Sequence, residues 1–331
     1  MGTLSRAVVI REPGDVDVLD LAEREVPEPG PGQIRVAVAA AGLNRADILQ
    51  RRGFYPAPLG CPEDVPGLEY AGEVESVGYG VDAYSVGDRV FGIVGGGAMC
   101  THLLVHAAEA MPVPRGMALD VAAAVPEAFL TAYDALVTQG EARPGETALV
   151  HAVGSGVGTA AVQLCRVLGL RSLGTSRASL KLARARPLGM NDGIHITSDG
   201  HFAEAVLALT GRRGVDVVLN SVGASYVQED MACLALRGRE VVLGLLGGSS
   251  VEVNLAVLLR KRAKLVGTVL RSRSLEEKVD VASGFAAAML GRFATGELVP
   301  VVDVILPMSE VRAAHARMES NTTFGKIVLR W

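Results

Sequence analysis

Aromatic residues are scarce, 4% of 331 residues, and cysteine is scarcer still, with four in the whole chain. Few rings and many small residues disfavour an aromatic-rich β-sandwich and suit close packing of helices on a sheet. Cys61, Cys100, Cys165 and Cys233 are scattered and form no C-x-x-C pair. They read as reduced, mostly buried residues of a cytoplasmic protein rather than a disulfide framework or a metal site. A basic excess is missing too. The formal net charge of −4 gives no footing for a nucleic-acid partner. No long uncharged apolar run stands out, so neither a membrane-spanning helix nor a membrane partner is expected. The opening MGTLSRAVVIREPG meets charge almost at once and shows no apolar leader core.

Glycine is plentiful, with 39 residues, and the chain changes rhythm partway along. To about residue 125 it is mostly β. The runs RAVVIRE, QIRVAVAAAG, AGEVESVG and DRVFGIV are separated by turns such as PEPGPG and EDVPG. From Pro126 strands and helices alternate. ETALVHAV, RSLGTS, GIHIT, VDVVLNSVG, REVVLGLLG and AKLVGTVL read as six strands. GTAAVQLCRVLG, SLKLARARPLG (broken near Pro187), FAEAVLALTG and YVQEDMACLAL read as helices. This alternation is the signature of an α/β fold with a doubly wound parallel sheet. The last sixty or so residues, from LEEKVDVASGF to KIVLRW, leave that rhythm and are expected to rejoin the N-terminal part.

The stretch LVHAVGSGVGTAAVQL joins the first strand of the alternating region to a helix. A phosphate-binding turn needs a close-approaching backbone, a helix N-terminus with free amides, and small residues at the strand–helix contact. Gly154, Gly156 and Gly158 alternate here, yet the segment departs from G-x-G-x-x-G: with Gly158 as third glycine, Val153 and Ser155 hold the first two places. Ser155 retains a hydroxyl to offer an oxyanion. A ligand-free glycine turn is the alternative. An NAD site usually carries an acid about 20 residues beyond the loop. The corresponding LGTSRASLK has none, and holds Thr175, Ser176, Arg177, Ser179 and Lys181. Hydroxyls and two cations there suit the 2′-phosphate of NADPH. The alternative makes Arg177 and Lys181 ordinary solvated helix residues.

The segments AAAGLNRADILQRRGFYPAP, PGLEYAGEVESVG, VGDRVFGIVGGGA, PEAFLTAYDAL, HAVGSGVGTAAVQL, CLALRGREVVLGLLGG, VLRSRS and MESNTTFGKIVLRW occur in this order. Together they resemble the medium-chain dehydrogenase/reductase superfamily over nearly the whole chain. Within it they are most similar to the zinc-independent quinone oxidoreductase branch, nearest its tumour-suppressor-inducible type. That family's looser loop, A-x-x-[GS]-G-V-G, matches Ala152, Ser155, Gly156, Val157 and Gly158. The resemblance implies a GroES-like catalytic domain, 1–125, completed by 270–331, and a Rossmann NADP-binding domain, 126–269, with the active site in the cleft between them. It implies a cytoplasmic homodimer, for which the apolar edge strand near AKLVGTVL offers a pairing surface.

The zinc enzymes of the superfamily take a cysteine and a histidine from positions that match Asn44 and Leu68 here, and the four-cysteine lobe is missing. His102 and His106 are four apart, but on a strand. No metal is therefore expected. By the same resemblance Asn44, Asp47, Tyr55 and Thr131 border the reacting groups. Asn44 is suited to bond a quinone oxygen or the nicotinamide ribose, Tyr55 to bond or cover the acceptor, and Thr131 to lie near the carboxamide. Asp47 alternatively pairs with Arg51 at helical spacing, Tyr55 alternatively packs Pro56 and Pro58, and Glu127 alternatively serves only as a helix N-terminal acid. The cofactor set adds Asn220, Gly244, Leu245, Leu246, Leu270, Arg271 and Asn321. A tyrosine that relatives carry near the 2′-phosphate is Thr197 in this chain, which leaves Arg177 as its substitute. The implied activity is NADPH-dependent reduction of a quinone by direct hydride transfer, without flavin. Reduction of enones, enals or enoyl thioesters is the rival reading, and an NADPH-binding structural or sensor role with little turnover is the third.

Overall fold

The computed structural model describes residues 2–197 and 200–331. Contacts divide the chain into two compact bodies, Met1–Leu130 with Leu270–Trp331, and Thr131–Val269.

In the N-terminal body β1 (Thr3–Ile10) pairs antiparallel with β2 (Leu19–Val26). The second of these was not legible as a strand, because LDLAEREV is mostly exposed and charged. The main sheet is built on β3 (Gln33–Leu43), flanked by β4 (Glu69–Val77) and β6 (His102–His106), with β5 (Arg89–Ile93) and β7 (Met111–Pro112) beyond β4. Ile34, Val36, Tyr70, Val74 and Val90 fill the core against this sheet. Helix α1 (Arg45–Arg51) leaves the end of β3 directly, and α2 (Leu119–Ala122) and α3 (Pro126–Tyr133) follow β7. The helical run Leu119–Gln139, which ends in a π-helical turn at Asp134–Gln139, is long and apolar enough to cross a membrane by length and composition. The sequence reading missed this run. Its most apolar window is 67% buried within the protein, as in a core helix.

The second body holds β8 (Thr147–Val150), β9 (Arg171–Ser176), β10 (Asp192–His195), β11 (Val215–Asn220), β12 (Leu234–Val242) and β13 (Lys264–Gly267). All pair in parallel in the order β10-β9-β8-β11-β12-β13. The sheet is thus doubly wound, and its order reverses beside β8, where such sheets place their ligands. Helices α4 (Gly156–Val167), α5 (Ser179–Ala185), α6 (Ala203–Leu209), α7 (Ala224–Cys233) and α8 (Leu255–Lys261) join the strands. Helix α7 is shorter than the sequence suggested: Leu234–Leu236 belong to β12, where Leu234 and Ala235 are buried and Leu236 is exposed.

Helix α9 (Leu275–Ala294), β14 (Val302–Pro307), α10 (Val311–Glu319) and β15 (Lys326–Arg330) then complete the first body. β15 runs antiparallel to β3, with Ile327 opposite Leu43. That register carries Lys326 to the C-terminal end of β3, beside Asn44.

Candidate active site

In the second body the turn after β8 passes through Ala152 in the left-handed region, φ 48°. Ser155 then caps α4, its Oγ accepting from the Gly158 amide at 3.0 Å. The first helical amides, those of Gly156 and Val157, have no acceptor within the helix and face outward with the positive dipole end. A Cβ on Gly158 would stand 2.5 Å from the Ala152 carbonyl oxygen, so only glycine lets helix and turn close up. A Cβ on Gly154 would stand 2.6 Å from Lys181 Cδ, so the Lys181 stem lies over this turn. Arg177 is exposed at the end of β9. Thr131 Oγ1 is buried with no hydrogen-bond partner, an orphan that a carboxamide would satisfy. Outward amides, two cations and an orphan hydroxyl fit a nicotinamide dinucleotide. Thr197 is exposed, and its carbonyl accepts from the Gly200 amide at 3.1 Å.

Several expected cofactor contacts need correction. Thr175 is buried and its hydroxyl bonds His151 Nδ1 at 2.8 Å, so it does not face a phosphate. The Ser176 hydroxyl accepts from the Ala178 amide at 3.1 Å and shapes the turn. Asn220 is fully buried. Its Oδ1 accepts from the amides of Val222 and Gly223 at 2.9 and 2.7 Å, and its Nδ2 donates to Glu240 Oε1 at 2.8 Å. It therefore positions the Ser221–Gly223 turn. Gly223, at φ +94°, packs there against the backbone of Gly244, Leu245 and Gly248. Leu245 and Leu246, unlike Thr175 and Asn220, expose their side chains.

Behind these loops runs a polar chain that the sequence did not reveal. His151 Nε2 meets Asp230 Oδ1 at 2.7 Å, both side chains fully buried. Burial holds the imidazole down at about 3, hence neutral, and pushes the Asp230 carboxyl well up. Burial and then Asp230 raise Glu240 to about 8. Asp230 Oδ2 and Glu240 Oε2 are both buried without a partner, and one proton shared between these two carboxyls satisfies both.

The N-terminal body holds a second cluster. Lys326 Nζ donates to Asn44 Oδ1 at 2.6 Å and the Leu43 carbonyl at 2.8 Å, and pairs with Glu69 Oε1 at 2.6 Å. Asn44 Nδ2 donates to the same Glu69 oxygen at 2.9 Å, while Glu69 Oε2 accepts from the Glu127 amide at 2.8 Å. Glu69 was passed over in the sequence, although a lone acid opening the apolar strand EYAGEV has to find a partner once buried. Asp47 is fully buried and accepts from the amides of Asn44 and Gly67 at 2.7 and 2.9 Å. It makes no pair with Arg51, which instead bonds Glu319 at 2.9 Å. Asp47 thus fixes the start of α1 rather than facing an acceptor, and burial raises its carboxyl to about 6.

Arg271 is also redirected. Its guanidinium donates to Gly95 O, the Tyr55 carbonyl and Gln50 Oε1, and lies 4.7 Å from the Tyr55 ring centroid. Leu270 beside it is buried. Tyr55 therefore stacks under a cation instead of merely packing prolines, and burial raises its phenol above the ordinary range. Glu127, at the start of α3, is a half-buried residue whose carboxyl burial and then Glu69 raise to about 7. Asn321 Oδ1 accepts from Arg45, the residue after Asn44, at 2.7 Å. Among the described residues no group of three or more His, Cys, Asp or Glu is arranged to hold a metal ion.

Two family descriptions match the chain: "alcohol dehydrogenase GroES-like domain" over residues 30–115 and "zinc-binding dehydrogenase" over residues 156–284. The human synaptic vesicle membrane protein VAT-1 homolog is 31% identical over 349 residues, covering 98% of this chain and 86% of that protein. Component PikAII of the pikromycin polyketide synthase of Streptomyces venezuelae is 40% identical over 225 residues. That match covers 67% of this chain but spans only 6% of the synthase. Among solved structures, an NAD-dependent alcohol dehydrogenase is 30% identical, with TM-score 0.86, covering 98% of this chain and 99% of that one. A mycobacterial protein, Rv1454c, in complex with NADPH and a quinone oxidoreductase of Pseudomonas syringae are each 29% identical at TM-score 0.86, covering 99% of this chain and 100% of theirs. The CurK enoyl reductase is 28% identical at TM-score 0.85, covering 98% of this chain and 99% of its own. With a GroES-like body, a doubly wound nucleotide-type body and these relatives, the chain belongs to the medium-chain dehydrogenase/reductase superfamily.

Proposed function

We propose that this chain is an NADPH-dependent quinone oxidoreductase that passes hydride directly to its acceptor, without metal or flavin. One observation carries the reading: the closed Asn44–Glu69–Lys326 cluster. The side chain at the position where zinc relatives supply a cysteine is a carboxamide already bonded to an ammonium and a carboxylate. Such a group polarises through hydrogen bonds and a fixed cation rather than as a metal ligand. Bound NADPH would supply the hydride, and Ser155, Gly156, Val157, Arg177 and Lys181 would hold its phosphates. The Asn44–Glu69–Lys326 cluster would set the field at the acceptor oxygen, and Tyr55, braced by Arg271, would cover the acceptor ring. The quinone oxidoreductase and the NADPH complex among the similar structures support this reading.

The match to a polyketide synthase component and the similarity to an enoyl reductase favour a second reading, reduction of enoyl thioesters or enones on the same residues. Steady-state kinetics with NADPH on a quinone panel and on an enone and enoyl-thioester panel separates them. A kcat/KM for an enoyl thioester a hundredfold above every quinone would reverse the ranking. We also infer a homodimer through β13, the edge strand of the parallel sheet, where Leu265 is 42% exposed and Leu259 of the neighbouring α8 is 75% exposed.

A further inference from the structure

Hydride addition to a quinone or an activated alkene leaves an anion that still needs a proton, and the reductase reading above names no source for it. Among the ionisable side chains around the Asn44 cluster, most are committed. Asp47 accepts from two backbone amides and is fully buried. Glu69 accepts from Lys326, Asn44 and the Glu127 amide. Lys326 donates to three oxygens, and the Arg271 guanidinium is occupied by Gly95, Tyr55 and Gln50. Glu127 differs. Its backbone amide is anchored on Glu69, which fixes where α3 begins, yet its carboxyl takes part in no hydrogen bond among the described residues, and the residue is half-buried.

From this carboxyl, left without a partner beside the Asn44–Glu69–Lys326 cluster to which its own backbone amide is bonded, we propose that Glu127 is the catalytic acid that protonates the reduced acceptor. The proposal rests on the reductase reading. Bound NADPH would supply the hydride and its two electrons for the new C–H or O–H bond, and the acceptor's displaced π pair would be left as an oxyanion, an enolate or a hydroquinone anion. The Glu127 O–H bond then breaks, and its proton goes to that oxyanion or to the enolate α-carbon. Glu127 is left as a carboxylate and regains a proton from water. The groups facing it set its readiness. Burial and the Glu69 carboxylate raise its carboxyl to about 7, Asp47 adds to this, and Lys326 and Arg271 oppose it. Tyr55 completes the set, since Glu127 acts on its phenol. An acid poised near neutrality suits general acid catalysis.

The test is Glu127→Gln with Glu127→Asp beside it, in the full-length chain. Wild-type kcat/KM should fall as pH rises through about 7, as the acid form is lost. Glu127→Gln should lose that limb and about a hundredfold in rate at low pH, while its affinity for NADPH, read by fluorescence titration, stays within about twofold. Glu127→Asp should restore the limb. In the cofactor-free protein, an infrared titration should show a protonated-carboxyl band that disappears through the same pH range and is missing in Glu127→Gln. Turnover whose rate and pH profile are unmoved by Glu127→Gln overturns this proposal alone, as does an infrared titration without that band. A wild-type chain that reduces neither acceptor panel overturns the reductase reading and this proposal with it.

Discussion

Replacing Lys326 by methionine should destabilise the N-terminal body far more than removal of a surface lysine. The Lys326 side chain is 5% exposed and that of Glu69 0%. Methionine keeps most of the aliphatic volume but removes the ammonium from Glu69 Oε1, Asn44 Oδ1 and the Leu43 carbonyl. Glu69 would keep only the Asn44 amide and the Glu127 backbone amide. Breaking a buried ion pair on one side costs about 3–5 kcal/mol, because the remaining charge is uncompensated. Exposed pairs are worth about 0–1 kcal/mol. For a body of about two hundred residues, at about 2–4 °C per kcal/mol, that loss lowers the melting midpoint by about 6–20 °C. Trp331 is the only tryptophan and lies in this body, with Arg6 5.3 Å from its ring, so its fluorescence during urea titration reports this body's unfolding. Adding Glu69→Gln removes the stranded charge. The double variant should therefore lose less than the two single losses summed, with a coupling of about 1–3 kcal/mol. A loss under about 1 kcal/mol for Lys326→Met, or strictly additive losses, would refute the buried pair as the cluster's keystone.

Arg177→Ala with Lys181→Ala should weaken NADPH roughly tenfold to a hundredfold per lost contact, at about 1.5–3 kcal/mol each, and leave NADH nearly unchanged; equal losses for both dinucleotides would show the 2′-phosphate lies elsewhere. Glu240 sits at about 8 in the fold, above the ordinary glutamate value of about 4.3, so its contribution is complete in acid and declines as pH rises between those values. Glu240→Gln should therefore gain stability relative to wild type, by at least about 1 kcal/mol, between about pH 5 and pH 8, and urea titrations showing a difference independent of pH would contradict the shared proton. Wild-type chain should sediment as a dimer and Leu265→Glu as a monomer, whereas a wild-type monomer at micromolar concentration removes the edge-strand interface. A chelator should leave turnover unchanged, and stoichiometric zinc by elemental analysis would contradict the metal-free reading.

Local pattern made much of this protein legible. The switch from short β runs to alternating strands and helices marked a parallel sheet, because strand and helix periods are written in consecutive residues. The turn from Gly154 to Gly158 was readable for the same reason: close approach and helix capping depend on residues adjacent in sequence. Failures fell where local signal was weak or a partner was distant. LDLAEREV is half charged and mostly exposed, and it is a strand because RAVVI lies opposite it. Thr175 and Asn220 stood at plausible positions for touching a cofactor, but the side chains of His151 and Glu240, far along the chain, had already engaged them. Arg271 followed a strand of the nucleotide-type sheet in sequence, yet packs on Tyr55 and Gln50. The sequence alone determined the fold class and the turn before α4, since both depend on short-range period and backbone sterics. Only tertiary structure decided that Asn44, Glu69, Lys326 and Glu127 form one group, because the antiparallel register of β15 on β3 brings together residues almost the whole chain apart, and buried charge is tolerated only where such partners meet.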